Sequence, residues 1–393
     1  MRSEFLNFSP PLIGDEEIEE VVKTLREGWI TTGPRAQRFE ADFVKYTGAP
    51  AAVAVNSATS AMHIALAALG IGEGDSVITT TMTFASTVHV IEHLRAHPVL
   101  VDVEPDTLNI DPAQVEAAVR RTPGVKAIMP VHLYGHPADM DAIYDIAQRH
   151  GLAVVEDAAH ALPAKHRGRM IGAPKKGFDF PNLVAFSFYA TKNLTTGEGG
   201  MLTGPPALID DARVWSLHGM SRDAFKRYTS DGSWRYDVVL PGFKYNMPDI
   251  QAAIGLHQLE RLDAMQKRRH AIVAQYDEAL GQLEELDRPV ERPDVESAWH
   301  IYLLRLRPGR LRIDRGAFIE ELRARNIGAS VHFIPVHEHS YYRDRYAWKP
   351  DDFPVAHREF ERMLSLPLSP AHTDQDIADV IEAVTEVVRQ NRA

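Results

Sequence analysis

Residues 183–200 read LVAFSFYATKNLTTGEGG. The first seven are apolar or aromatic on both alternating faces apart from Ser187, the pattern of a short strand buried on both sides. Lys192 and a turn holding three glycines follow directly. Working outward, the same texture recurs in GLAVVEDAA (151–159), VKAIMPVHLYG (125–135), HPVLVDVE (97–104), DSVITTTMTF (75–84) and AAVAV (51–55). Helical stretches lie between most of them, at 61–69, 86–96, 112–121 and 138–150. Buried strands interleaved with helices predict an α/β fold with a mainly parallel sheet flanked by helices on both sides. In such sheets ligands collect at the carboxyl ends of the strands.

Ahead of this region Asp15 is expected to cap a helix with Ile18, Val21, Val22 and Leu25 on one face, closed by Gly28. Beyond Pro248 a long helix runs into the 270s, and its Lys267–His270 cluster reads as a solvated face. The texture then changes. HIYLLRLR (300–307) and GASVHF (328–333) read as strands around a helix at 314–326. Thr373 caps a last amphipathic helix carrying Ile377, Val380, Ile381, Val384 and Val388. The expected organisation is an N-terminal arm and large domain over 1–248, then a linking helix and a small α+β domain over 249–393.

Composition narrows the function classes. A chain of 393 residues exceeds what one core serves. A net charge of −11 without a basic block argues against nucleic acid and anionic membranes as partners. The absence of cysteine excludes disulfides, thiolate metal sites and a cysteine nucleophile. Met1–Pro11 has no apolar run of signal-peptide length, so a cytoplasmic protein is expected.

The chemistry-bearing residues sit at strand ends. Lys192 follows its strand immediately, where partial desolvation would lower its pKa and free the amine to attack a carbonyl. Asp157 closes the strand LAVVED; a carboxylate there either caps and pairs structurally or partners a protonated pyridine nitrogen. His160, three residues on, would orient that carboxylate or a bound ring. Asn56–Ser60 joins a strand to a helix, which suits either a plain serine N-cap or a phosphate cradle with the Thr59 and Ser60 hydroxyls. Phe84 is placed either to enter the core or to stack on a flat ring. No GxGxxG and no GxxxxGK[ST] is present, so nicotinamide and NTPase sites lack their fingerprints. His332, His337 and His339 suggest a zinc hydrolase as the alternative class, but their spacing fits no common zinc pattern, and no metal ligand is assigned. A cradle, an aromatic, a strand-end aspartate and a loop lysine in that order form a constellation for pyridoxal 5'-phosphate (PLP).

The chain also resembles the DegT/DnrJ/EryC1/StrS sugar aminotransferases over nearly its whole length. The segments that carry this are WITTGP (29–34), NSATSAMHIAL (56–66), EDAAHA (156–161), SFYATKN with GEGGML, HGMSRD (218–223), GFKYNMPDIQAAIGLHQL (242–259), AWHIYLLR (298–305), VHFIPVH (331–337) and LSLPLSP (364–370). The resemblance implies the PLP-dependent transferase fold type I and a homodimer with shared sites. It implies that Lys192 carries PLP as a Schiff base and that Asp157 pairs with the pyridine nitrogen. Phe84 would stack on the ring, with His160 beside it. Ala58, Thr59 and Ser187 would hold the phosphate, joined by Asn246 from the neighbouring subunit. Thr31, His332, His337 and Tyr341 take substrate-side positions. The implied reaction moves an amino group from L-glutamate, giving 2-oxoglutarate, to a nucleotide-linked keto-sugar at C4. C3 sugars and cyclitol or other non-sugar ketones are the alternatives. Arg222 and Lys244 are candidates for the glutamate carboxylate, and HGMSRDAFKRYTSDGSW (218–234) for a substrate loop. A non-catalytic regulator on this fold would need an added DNA-binding module, for which the chain has no spare length.

Overall fold

A computed structural model describes residues 2–221 and 236–393; Arg222 and most of the proposed substrate loop lie outside them. The strands in chain order are β1 (Ala51–Val55), β2 (Ser76–Thr80), β3 (His97–Val101), β4 (Val125–Met129), β5 (Ala153–Asp157), β6 (Lys165–His166) and β7 (Arg169–Met170). They continue with β8 (Asn182–Ser187), β9 (Gly200–Gly204), β10 (Leu286–Asp287), β11 (Val295–Glu296), β12 (Tyr302–Leu306) and β13 (Met363–Leu366). The helices are α1 (Asp15–Glu27), α2 (Pro34–Thr47), α3 (Ala58–Ala68), α4 (Ser86–His93), α5 (Pro112–Arg121) and α6 (Met140–His150). After these come α7 (Pro206–Ser216), α8 (Asp249–Leu280), α9 (Arg315–Ala324), α10 (Ser340–Tyr346), α11 (Pro354–Arg362) and α12 (Asp374–Gln390).

A seven-stranded sheet in the order β1-β9-β8-β5-β4-β2-β3 forms the centre. β8, β5, β4, β2 and β3 run parallel, and β9 runs antiparallel to both β8 and β1. The sheet is therefore mixed but mainly parallel, with β9 as the single reversed strand. β5 and β9 are buried at every residue, which explains why their sequences lack a polar face. The carboxyl ends of β1, β2, β5 and β8 lead into Ser57, Phe84, Asp157 and Lys192, so one rim of the sheet gathers all four. The segment joining β8 to β9 is closed at its neck by Phe188 N–H donating to the Gly199 carbonyl and Thr196 N–H to that of Phe188 (2.8 and 2.9 Å).

The smaller unit is an antiparallel sheet β10-β12-β13 packed on α9 and α12. Thr373 caps α12 as expected, accepting the Asp376 N–H while the Asp376 carboxylate accepts that of Thr373. GASVHF is not a strand: of its residues only Ser330 bridges, to Ser365 of β13, the strand that pairs with β12. The chain's N-terminal segment belongs to this unit too. Leu6 N–H donates to the Asn326 carbonyl, Gly328 N–H to that of Leu6, and Arg2 pairs with Asp376 and Asp379.

α8 serves both cores. Ala252, Leu256, Leu259, Leu262 and Met265 pack with Phe39, Phe43 and Phe186, whereas Ile272, Val273, Tyr276 and Leu280 pack with Tyr302, Phe318 and Val384. Between the two halves lies Arg269, which is buried at 2% exposure rather than solvated as its charged neighbours suggested. It donates to the Trp299 and Leu368 carbonyls (3.3 and 3.1 Å), and burial, with no carboxylate partner among the described residues, pulls its pKa down to about 9.

α1 is turned the other way from its apolar stripe. Ile18, Val22 and Leu25 share a face as expected, but that face points outward. The buried side holds Glu17 and Thr24, and Glu17 accepts from Gly14 N–H, Gln258 and Arg261 (2.8, 2.9 and 2.5 Å). The N-cap is Gly14, one residue before Asp15.

Candidate active site

A cavity of about 410 Å³ opens at the carboxyl rim, lined among others by Ser57, Ala58, Thr59, Phe84, Asp157, His160, Ser187, Lys192, His300 and His332. Most come from a strand end or from the turn after one, so the sheet's topology assembles the site, while His300 and His332 reach it from the segments before β12 and after α9.

Lys192 reaches into this cavity from the β8–β9 loop, held by its N–H on the Tyr189 carbonyl (2.9 Å). Burial lowers its amine to about pH 8 against an opposing pull from Asp157. Asp157 is fixed at both oxygens: Oδ2 accepts from the Thr87 hydroxyl (2.8 Å) and Oδ1 from Ala159 N–H (3.1 Å). Its own pKa is raised by burial, which these hydrogen bonds and Lys192 partly offset. Thr87 was not singled out in the sequence, although it stands three residues after Phe84 in the helix that follows β2. His160 is neutral because burial pushes its pKa well down, and its Nδ1 accepts from Tyr134 N–H (3.2 Å), so Nε2 carries its proton.

The turn before α3 is both an N-cap and a cradle. Ser57 accepts the N–H of Ser60 (3.1 Å), leaving other first-turn N–H groups of α3 without an intrahelical acceptor. The Ser60 hydroxyl is not free to assist, since it donates to Asn56 (2.5 Å). Gly200 explains part of the GEGG motif: a Cβ there would stand 2.5 Å from the Ser57 carbonyl carbon, so only glycine lets β9 back onto the cradle. Phe84 is 59% exposed and tilted 5.7 Å from Phe333, which settles it at the cavity and outside the core.

The remaining expected residues divide. His332 lines the cavity, stacked 5.0 Å from Phe8, with Nδ1 on Ser365 (3.0 Å). His337 is buried, on the Thr81 hydroxyl (2.6 Å), and does not line the cavity. Tyr341 is exposed and donates to Glu92 (2.7 Å), also away from the cavity. Asn246 bridges Val55 with its backbone and donates to Thr32 (2.6 Å), while Thr31 accepts Asp249 N–H (3.1 Å); neither lines this chain's cavity. Lys244 donates to Asn246 (2.6 Å) and lies outside the cavity as well. Among the described residues no three His, Asp or Glu side chains converge on a point that would hold a metal ion.

The donor set fits PLP group by group. A buried, low-pKa amine suits its aldehyde carbon, an anchored carboxylate its pyridine nitrogen, an open helix N-terminus with hydroxyls its phosphate, and an exposed aromatic its ring face. Fold and site define a PLP-dependent aminotransferase of fold type I. Residues 11–385 match the DegT/DnrJ/EryC1/StrS aminotransferase family, and the chain belongs to it. It is 52% identical over 390 residues to the spore coat polysaccharide biosynthesis protein SpsC of Bacillus subtilis, covering 99% of this chain and 98% of that one. Among solved structures, Spr1654 of Streptococcus pneumoniae in its PMP form has 34% identity and a TM-score of 0.90, covering 98% of this chain and 99% of that one. Its PLP form is similar at 33% identity and the same TM-score. The sugar aminotransferase CalS13 of Micromonospora echinospora has 30% identity and a TM-score of 0.84, covering 96% and 99%.

Proposed function

We propose that this aminotransferase moves an amino group from L-glutamate to C4 of a nucleotide-linked keto-sugar, as a homodimer whose subunits complete each other's sites. The observation that carries the reading is Lys192, a buried amine at about pH 8 in one cavity with Asp157 and the Ser57–Thr59 turn. Full-length similarity to a polysaccharide biosynthesis protein and to a sugar aminotransferase supports a sugar as acceptor. Glutamate, the nucleotide and the C4 position rest on the family resemblance of the motifs.

Bound PLP supplies an electron sink for the pair left when a proton leaves the carbon bearing the amino group. Asp157 would keep the pyridine nitrogen protonated, and its two anchoring hydrogen bonds stop it turning away. Ala58, Thr59 and Ser187 would hold the phosphate, and Phe84 and His160 the ring. Lys192, once released by the incoming amine, would take the proton from one carbon and return it at the other; an amine near pH 8 exchanges protons readily in both directions. His332 would face the sugar on this subunit.

Exposed apolar residues support the dimer. α1 presents Ile18, Val22 and Leu25, the turn after it Trp29 and Ile30, and the segment before Asn246 adds Val238 and Val239. These side chains cluster in three short segments, and apolar side chains gathered on a surface favour burial against another chain. Asn246 and Thr31 lie in these same segments, where a neighbouring subunit would receive them.

The test is a visible spectrum of the purified protein before and after L-glutamate. The expected result is a yellow band from lysine-bound cofactor that fades as 2-oxoglutarate appears. A protein that stays colourless after incubation with PLP would overturn the reading. Incubation with nucleotide-linked 3-keto- and 4-keto-sugars, followed by NMR of the product, then decides the position; amination of the 3-keto-sugar alone would overturn C4.

A further inference from the structure

His300 opens the strand segment HIYLLRLR and received no role in the sequence. Its ring is buried in the cavity wall, with Nε2 3.4 Å from Lys192 Nζ. Its Nδ1 stands 3.2 Å from Asn193 Oδ1. The orientation of Asn193 is fixed in turn, because its Nδ2 donates to the Ala298 carbonyl (2.6 Å). An amide oxygen only accepts, so Nδ1 of His300 must carry the hydrogen, and Nε2 presents a lone pair to the lysine.

We infer that His300 is a positioning residue for Lys192: a tautomer-locked acceptor that takes one hydrogen of the free amine and so aims its lone pair. The inference rests on the PLP reading, since aim matters only if Lys192 attacks a carbonyl and later carries a proton. A long side chain has many rotamers, and holding a reacting nitrogen in one of them removes an entropic cost from the reaction. Asn193 neighbours Lys192 in sequence, so the loop that delivers the amine also sets the tautomer of the group that receives it. Burial keeps the imidazole neutral, which leaves Nε2 an acceptor. The charged and titratable groups around the pair are Asp157, His160, His332 and Arg269. Of these Asp157 alone is acidic, and it favours the protonated lysine.

The test measures the amine itself as well as cofactor capture. Competitive acetylation of the full-length, cofactor-stripped protein with acetic anhydride across pH, read by mass spectrometry at Lys192, gives the amine's midpoint and its plateau reactivity. The rate of PLP capture gives the same two quantities for the productive reaction. In His300→Leu the midpoint should fall, because a neutral acceptor stabilises the ammonium more than the amine, and the plateau capture rate should drop about tenfold. His300→Gln, which keeps an acceptor, should recover most of the plateau, and Asn193→Ala should lie between. Unchanged midpoint and capture in His300→Leu, or a His300→Gln protein as slow as the leucine variant, would overturn the proposal. If His300→Leu does not fold, His300→Gln against Asn193→Ala decides, and equal capture by both counts against it. A wild-type protein that captures no PLP would sink the functional reading instead, while the acetylation midpoints would still report on His300.

Discussion

Glu156 and Asp157 are neighbours on β5 and face opposite sides of the sheet, both almost fully buried. Glu156 points away from the cavity and accepts from His132 Nε2 (2.8 Å), Tyr144 (2.5 Å) and Asn182 (2.9 Å). Burial works to raise its pKa, but these partners win and hold it low. Asp157 points to Lys192 with fewer partners, and its pKa stays raised. The two-residue period of one strand thus separates a structural carboxylate from a chemical one.

Lys192→Ala should abolish turnover, lowering the rate by at least about 10³-fold, since the proton-transfer group is lost. Measured on cofactor-free protein, the melting temperature should not fall, because the variant removes an amine whose burial costs stability. Steady-state assay with glutamate and ketone, alongside thermal unfolding, checks both. Sustained multiple turnover would contradict the role given to the lysine.

Phe84→Ala should leave folding intact, as the ring is mostly solvent-exposed. Cofactor loss should accelerate by about three- to tenfold if the ring stacks on it. Phe84→Tyr should retain the cofactor like wild type. Dialysis followed by absorbance distinguishes these results, and equal retention in the alanine variant would remove Phe84 from the site.

Asn246→Ala should weaken cofactor retention without changing the cavity of its own subunit, because the residue does not line that cavity. Retention is read by dialysis and oligomeric state by sedimentation. Wild-type retention in an intact dimer would argue against a cross-subunit phosphate contact.

Glu17→Gln should destabilise the protein by about 1.5–3 kcal/mol, the range for hydrogen bonds to a charged group. The carboxylate accepts from a backbone N–H and two side chains, and an amide cannot accept all three. Urea unfolding measures it. A loss below about 0.5 kcal/mol would place the buried polar face of α1 among ordinary surface contacts.

Acid should unfold the protein partly through its histidines. Burial pushes His63, His136, His332 and His337 down to about 4. In the unfolded chain each binds a proton near 6.5, so between these values the unfolded state holds more protons and stability rises with pH. Lowering the pH from about 7 to about 5 should therefore reduce the urea midpoint, each group contributing at most about 1.4 kcal/mol per pH unit. His63→Gln should show a shallower pH dependence than wild type; an identical slope would remove His63 from this account.

The main sheet was legible because its strands are buried on both faces and leave a continuous apolar signal. Lys192, Asp157 and Phe84 were legible because each stands next to such a strand. What periodicity cannot show is which side of a helix meets the protein. The stripe of Ile18, Val22 and Leu25 forms as the periodicity predicts, yet it faces outward, and the polar side packs on α8 through Glu17. Arg269 hid among solvated charges because only tertiary structure supplies the two carbonyls that accept from it. GASVHF meets the sheet only through Ser330, which bridges Ser365 of β13, and a single bridge between distant residues makes no strand. His300 was missed for a similar reason, since it meets Lys192 across more than a hundred positions of sequence.

The reversal of β9 has a mechanical consequence. Because the strand after the lysine lies beside the one before it, Lys192 rides on a tether whose two ends are pinned together at a hydrogen-bonded neck. That tether is itself a fixed mount, because Asn193 donates to the Ala298 carbonyl, Thr195 N–H to Gln258, and Leu194 is buried in the core that α8 shares with the large sheet. Travel of the nitrogen therefore comes from rotation about the lysine's own side-chain bonds, while the backbone beneath it keeps its place.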